Sequence, residues 1–315
     1  MRDGESVIDE IERLGASTQF VHSSFGLRVT GLDLGDRRPP HIDDVLRDAL
    51  DLFGLLLFSE QNLSPRQELD VVRIFNELCD PELTENDASI PGFPHIFVLS
   101  NIVGPDGAPA GFTNKAGMEW HTDGAGWPQP ALASAIYALE VPANGGGRTH
   151  FVDGFEGYAR LSDERRAAVD EMMCRYSFAH QLRYLAEVSD GKAPPDHLVD
   201  RYPDVVRPLV RVHPPTGRKA LWFGVEDVVE IDDIGASASR RFLEDLAEWM
   251  ASDPAIAYVH SWSQGDMCVF DNRRLLHSPS AYDYHGYRRL MHQITGRDTG
   301  YNEPRQRVLA DHWSV

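Results

Sequence analysis

The side chains of this 315-residue chain with the clearest chemical potential are two histidines and a carboxylate. His121-Thr122-Asp123 follows Met118-Glu119-Trp120 and runs into the turn-rich Gly124-Ala125-Gly126-Trp127-Pro128. On an extended strand, residues i and i+2 share a face, so His121 Nε2 and an Asp123 oxygen can stand side by side around one metal ion. The triplet alone is a weak signal. His41-Ile42-Asp43 has the same form, and a chain this rich in histidine and acid contains such triplets by chance. There Asp43 precedes an amphipathic run and is expected to cap a helix. The plain alternative for His121 and Asp123 is a strand-end hydrogen bond.

The second half of the chain supplies what a metal site would still need. Gly265 to Arg273 reads as turn, strand, turn, and His277 follows four residues later. A ligand there completes two histidines and one carboxylate, the facial set that leaves three positions open on Fe(II). Farther on, Tyr287 to Thr295 alternates, with Arg289, Met291 and Gln293 on one face and Leu290, His292 and Ile294 on the other. An arginine on such a face needs a partner, either a protein acid or the bidentate carboxylate of a ligand. Other chemistries lose their usual signatures: the chain has no GxxxxGK[ST], GxSxG, HExxH or GxGxxG.

The elements that must position these residues change character along the chain. Ser6 to Leu14, Asp43 or Asp44 to Leu52, and a capping box at Ser64-Pro65-Arg66-Gln67 opening a run to about Cys79 are helical patterns. From about residue 94 the pattern becomes short β-like runs: His95–Ser100, Ala131–Leu139, Leu209–His213, Lys219–Phe223, Met267–Phe270 and Tyr287–Thr295. Helical stretches at about Ser162–Tyr176 and Ser237–Ala251 interrupt them, and Phe178 to Pro208 reads as an irregular lid or surface excursion. Short strands without βαβ alternation predict an antiparallel sandwich or barrel with helices packed outside. We expect one domain over 1–315: a helix-rich part to about 93, and a β core over about 94–300 with a helical insert at about 160–208.

Composition narrows the partners. Thirty Lys and Arg against 49 Asp and Glu leave a net charge of −19, which repels nucleic-acid backbones and anionic lipid. No apolar stretch approaches the length of a membrane span and the N-terminus lacks a signal-peptide pattern, so a cytoplasmic protein is expected. Cys79, Cys174 and Cys268 lack CxxC spacing and read as buried thiols. The expected partner is a small molecule, and a homo-oligomer is compatible with everything above.

At this level of detail the chain resembles a known family. Trp120-His121-Thr122-Asp123, Gly146-Gly147-Arg148-Thr149, the run Phe270 to His277, and Arg288-Arg289-Leu290-Met291-His292 are similar, in order, to motifs of the taurine/2,4-dichlorophenoxyacetate dioxygenase (TauD/TfdA) family. Leu209 to Pro214 and Gly217 to Leu221 resemble it too, and the likeness covers about residues 20 to 297. It implies a double-stranded β-helix, or jelly roll, mainly β with outer helices. It also implies Fe(II) on His121, Asp123 and His277, 2-oxoglutarate as cosubstrate held by Arg289 and Thr149, and O2 as oxidant. The default outcome would be hydroxylation of an unactivated C–H bond with release of succinate and CO2. Desaturation or cyclisation is possible from the same cofactors, and a metal-dependent hydrolase or a non-catalytic jelly-roll binding protein is the rival from another class. The chain departs from the family at Gln293. In the sulfonate and aryloxyacetate enzymes an arginine four residues after the 2-oxoglutarate arginine grips the substrate anion. A neutral amide cannot replace that fork, so taurine and aryloxyacetates are disfavoured and an amino-acid-like or specialised metabolite is expected. The resemblance brings Arg183 and Tyr184 near substrate-lining positions.

Overall fold

Alternation in three apolar strands decides how the layers stack. Leu55, Leu57, Cys268, Phe270 and Met291 belong to one buried cluster, while Leu56, Phe58, Met267, Val269 and Ile294 belong to another. Side chains of period two leave a sheet on opposite faces, so this sheet is covered on both sides. The computed structural model describes residues 1–79, 88–104, 107, 110–112, 119–189 and 202–309.

In chain order the elements begin with α1 (Gly4–Glu12), β1 (Ser17–Phe20), β2 (Leu27–Thr30), α2 (His41–Phe53), β3 (Leu55–Phe58), α3 (Pro65–Phe75) and β4 (Glu77–Leu78). There follow β5 (Ser89–Ile90), β6 (Phe93–Ser100), β7 (Ala131–Glu140), β8 (Thr149–Asp153), α4 (Gly154–Arg160), α5 (Asp163–Glu171), β9 (Met173–Tyr176) and α6 (Phe178–Ser189). The last are β10 (Val205–Pro208), β11 (Val210–Val212), β12 (Lys219–Leu221), β13 (Val228–Ile231), α7 (Ala236–Ser252), β14 (Ala257–His260), β15 (Met267–Asp271), β16 (Leu275–Pro279), β17 (Leu290–Arg297) and β18 (Arg307–Val308).

Among the described residues a nine-stranded sheet runs β1-β2-β3-β15-β7-β17-β6-β5, with β4 also on β17. Only β2 and β3 pair in parallel within it. A three-stranded sheet, β14-β8-β16, faces it, and Phe151, Leu275 and Tyr258 of the small sheet pack with Phe270, Ile136 and Met291 of the large one. Helices α1, α2 and α3 cover the outer face of the large sheet. Helix α7 and the four-stranded sheet β13-β9-β10-β18 cover the outer face of the small one. The chain is thus mainly sheet with helices outside, and it is not a barrel.

Local chemistry accounts for most boundaries, and tertiary pairing moves the others. The capping box forms as expected: Gln67 N–H donates to Ser64 Oγ at 3.4 Å and Ser64 N–H to Gln67 Oε1 at 2.9 Å. Helix α3 nevertheless stops at Phe75, because Asn76 is extended and Glu77–Leu78 pair with β17. Helix α2 ends at Gly54, whose φ of 72° suits glycine. Asp43 is not its cap. The helix starts at His41 after Pro40, and Asp43 lies in the first turn, accepting from Arg38 Nε at 2.7 Å. The helix expected over 162–176 is cut at Glu171, since Met173–Tyr176 alternates in burial and pairs with β10 and β13. The stretch read as irregular contains α6 and β10 instead, its residues 190–201 lying outside those described. The N-terminal part also contributes strands: β3 pairs with β15 in the heart of the large sheet. All three cysteines are buried thiols. No helix among the described residues is long and apolar enough to cross a membrane.

Candidate metal and cosubstrate site

His121 and His277 lie opposite each other across two backbone hydrogen bonds, His121 N–H to His277 O at 3.0 Å and His277 N–H to His121 O at 2.7 Å. Their imidazoles converge, with ring centroids 4.2 Å apart. Asp123 Oδ1 is 3.8 Å from Nε2 of each histidine. All three donor atoms fall within 4.8 Å of one another, a spacing that one small cation bridges.

The surroundings hold these atoms ready for a metal. Protonated His121 Nδ1 donates to Glu119 O at 2.8 Å, which leaves the lone pair on Nε2. His277 packs against Phe270 and Phe151, and its buried Nδ1 has no partner among the described residues. Burial, with His121 alongside, pushes the His277 imidazole down to about 3, so it stays neutral and able to ligate. Asp123 Oδ2 accepts from Ser134 Oγ at 2.5 Å and from Gln293 Nε2 at 3.2 Å. Those two bonds aim its other oxygen at the histidines.

Two residues that sequence reasoning missed lock the His-x-Asp segment in place. Asn272, in the turn between β15 and β16, accepts from Thr122 Oγ1 on its carbonyl at 2.6 Å and from Asp123 N–H on Oδ1 at 3.1 Å. Its Nδ2 donates to Ser134 Oγ at 2.9 Å. Arg207, buried and lowered to about 10 by desolvation, donates to the carbonyls of Ala125, Trp127 and Pro128. It thereby clamps the turn that follows Asp123. The only sequence signal for either was its place near a suspect motif.

Arg289 sits just ahead of β17, with its amide donating to Asn101 Oδ1 at 2.8 Å and its carbonyl accepting from Ser100 Oγ at 2.9 Å. Its guanidinium lies 5.9 Å from the Tyr282 ring, and no carboxylate among the described residues pairs with it. Its Nε is buried without a partner, and burial lowers its pKa. Glycine suits 147, whose φ is 68° and where a Cβ would also come within 3.2 Å of this side chain. Neighbouring Arg288 is exposed and paired with Glu140. Thr149 starts β8 two residues before Phe151 and is buried, its Oγ1 accepting from Trp262 Nε1 at 3.0 Å. The structure therefore brings His121, Asp123, His277 and Gln293 together. Arg183 and Tyr184 lie on α6, Arg183 exposed and Tyr184 half-buried near Arg240.

A second trio with metal-like spacing, Asp51, His213 and Asp271, already holds a cation. Arg273 pairs with both acids there, and His213 Nε2 lies 3.0 Å from Asp271 Oδ2.

A family model described as "Taurine catabolism dioxygenase TauD, TfdA family" matches residues 13–295. The chain belongs to the TauD/TfdA family. It is 31% identical to the (S)-phenoxypropionate/alpha-ketoglutarate-dioxygenase of Delftia acidovorans, over 87% of this chain and 93% of the relative. It is 29% identical to the pentalenolactone F synthase of Streptomyces arenae, over 85% and 89%. Its fold is similar to the crystal structure of AAD-2 in complex with Mn(II) and N-oxalylglycine, with a TM-score of 0.71, 26% identity, and 90% and 98% of the two chains covered. As a TauD/TfdA enzyme the protein is an oxidoreductase, a 2-oxoglutarate-dependent dioxygenase that uses Fe(II) and O2. The convergent N2O donor set and the uncompensated Arg289 fit that cofactor and cosubstrate.

One more feature adjoins the site. Glu226 and Asp227 are fully buried, and none of their four carboxylate oxygens has a hydrogen-bond partner. Burial first, and then like charge, pushes Glu226 up to about 9 and Asp227 up to about 8, the like charge on Asp227 being Asp123. The Glu119 backbone N–H and Arg240 partly relieve this for Glu226, while the Glu119 carboxylate adds to it. Both acids keep their protons to higher pH in the folded chain than in the unfolded one, where they titrate near pH ~4. Folding takes up protons across that window, so ligand-free stability falls as pH rises from about 4 towards 8 or 9, by up to about 1.4 kcal/mol per unit per group. A Glu226→Gln/Asp227→Asn variant is expected to flatten this slope when Tm is followed from pH 5 to 9. Parallel curves for the two proteins would show that the acids are ionised and paired.

Proposed function

We propose that the protein hydroxylates an unactivated C–H bond of a small molecule, with Fe(II) held by His121, Asp123 and His277. In this reading Arg289 and Thr149 hold the distal carboxylate of 2-oxoglutarate, and the two facing sheets form a jelly roll. The observation that carries it is the convergence of two Nε2 atoms and one carboxylate oxygen within 4.8 Å. A hydrolase has no use for a buried arginine, without an acid partner among the described residues, just ahead of the strand that carries Gln293, whereas a five-carbon diacid needs one.

When bound, Fe(II) supplies the redox centre that couples decarboxylation of 2-oxoglutarate by O2 to oxidation of a C–H bond. The chain's own contribution is orientation. The Glu119 carbonyl keeps the Nδ1 proton on His121, and Ser134 and Gln293 fix the rotation of Asp123. Arg289, already desolvated, meets a dianion with a charge-assisted fork at little reorganisation. Phe151, Phe270 and Met291 keep the floor between the sheets dry, which limits oxidation in the absence of substrate.

Adding 2-oxoglutarate to Fe(II)-loaded protein under argon is expected to produce a weak visible charge-transfer band. A featureless spectrum with full iron occupancy would overturn the reading. The support of Asp123 has its own test. Ser134→Ala removes one of the two bonds to Oδ2 and leaves Asn272 Nδ2 without that acceptor. Such outer partners are typically worth 10- to 100-fold in metal affinity, so Fe(II) binding is expected to weaken by about that factor. An unchanged affinity would assign Ser134 to packing alone.

A further inference from the structure

The buried acid pair is not accounted for by iron or by 2-oxoglutarate. It lies in the turn between β12 and β13, where Asp227 N–H donates to Gly224 O at 3.2 Å and Val225 N–H to Trp120 O at 3.0 Å. The second bond ties the turn to the residue just before His121. Gly224 leaves room for the pair: a Cβ there would stand 2.0 Å from Asp227 Oδ2. Asp227 lies close enough to Asp123, and Glu226 to Glu119 and to half-buried Tyr184, for their charges to interact. Both side chains are 0% exposed.

Buried carboxylates are normally hydrogen-bonded or ion-paired. Among the described residues these have no ion pair and no well-formed hydrogen bond beyond a weak approach of the Glu119 backbone N–H to Glu226. Two nearby cations are committed elsewhere. Arg240 pairs with Glu119 and Glu244, and Arg207 spends its N–H groups on carbonyls and Gln306. The pair is not part of any metal-like trio among the described residues. Gln293, the residue expected to meet the substrate, is neutral and bonded to Asp123. Beside the candidate metal donors the turn thus holds four buried carboxylate oxygens without a well-formed hydrogen bond among the described residues.

We propose that Glu226 and Asp227 recognise the protonated nitrogen of a basic substrate, an ammonium whose N–H donors pair with both carboxylates beside the iron site. The assignment rests on the reading of His121, Asp123 and His277 as that site. It separates this chain from relatives named for phenoxy acids, because an ammonium draws both carboxyls to their ionised form and supplies the N–H donors they lack, whereas a substrate carboxylate supplies none.

The test uses the Fe(II)- and 2-oxoglutarate-loaded protein under argon and two matched probe sets: 2-phenoxyethylamine, 2-phenoxyethanol and phenoxyacetate, and butylamine, butanol and butyrate. Binding is followed by calorimetry and by the shift of the visible band. The amine of at least one set is expected to bind at least tenfold more tightly than its alcohol and acid. Glu226→Gln/Asp227→Asn should erase that preference while leaving the Fe(II)–2-oxoglutarate band in place. Equal or tighter binding of the acids or alcohols, no binding by either amine, or a preference that survives in the double variant would each overturn the proposal. Should the wild-type band fail to form, the iron reading fails, and calorimetry on iron-free protein still decides the charge preference. If the double variant does not fold, the single variants Glu226→Gln and Asp227→Asn carry the comparison.

Discussion

His277→Ala is expected to abolish iron binding and turnover together while leaving the fold intact. Its Nε2 and His121 Nε2 are each 3.8 Å from Asp123 Oδ1, so its removal leaves two protein donors where a facial set needs three. The side chain is buried, and truncation opens a cavity against Phe270 and Phe151 that costs about 2–4 kcal/mol. Circular dichroism and Tm report that cost, and a colorimetric iron assay after anaerobic loading reports the ligand. The same double loss is expected for His121→Ala and Asp123→Ala. His41→Ala is the control, because His41 is exposed at the start of α2. Near-normal iron content and turnover in any of the three variants would remove that residue from the metal site.

Arg289→Ala is expected to raise the apparent KM for 2-oxoglutarate by roughly 10- to 100-fold, since a charge-assisted bond is worth about 1.5–3 kcal/mol. The guanidinium is largely buried and meets no acid among the described residues, so its removal breaks no ion pair there and the effect falls on the ligand. Thr149→Ala should be several-fold weaker, a neutral hydroxyl bond being worth about 1 kcal/mol. It also leaves Trp262 Nε1 without its acceptor, so Thr149→Ser, which keeps the hydroxyl, should restore both affinity and stability. Steady-state succinate formation against 2-oxoglutarate concentration separates these outcomes. Arg288→Ala should change little, its charge being spent on exposed Glu140. Equal, negligible effects at 289 and 149 would mean that the dianion binds elsewhere.

Much of the site is legible before folding because its chemistry is carried by residue types at short spacing. His121-Thr122-Asp123 needs only an extended backbone to aim two donors one way, and strand β17 shows its alternation in sequence. The capping box at Ser64 and the glycine stop at Gly54 are equally local. The split of 162–176 into α5 and β9, and the end of α3 at Phe75, were not legible. In both places strand pairing with distant partners overrides a local helical pattern, and sequence periodicity carries no trace of those partners.

The same boundary runs through the site itself. Residue type and order singled out His121, Asp123 and His277 as candidate donors, Arg289 as a cation in need of a partner, and the departure at Gln293, because each is a matter of residue type and immediate backbone. Only the tertiary structure decided that Gln293 bonds Asp123, that Asn272 pins the His-x-Asp segment, and that Glu226 and Asp227 lie buried beside it. Acidic residues are common in this chain of 49 Asp and Glu, and composition reads them as solvated surface. What distinguishes these two is the removal of water from four carboxylate oxygens without replacement, a property of packing between segments about a hundred residues apart.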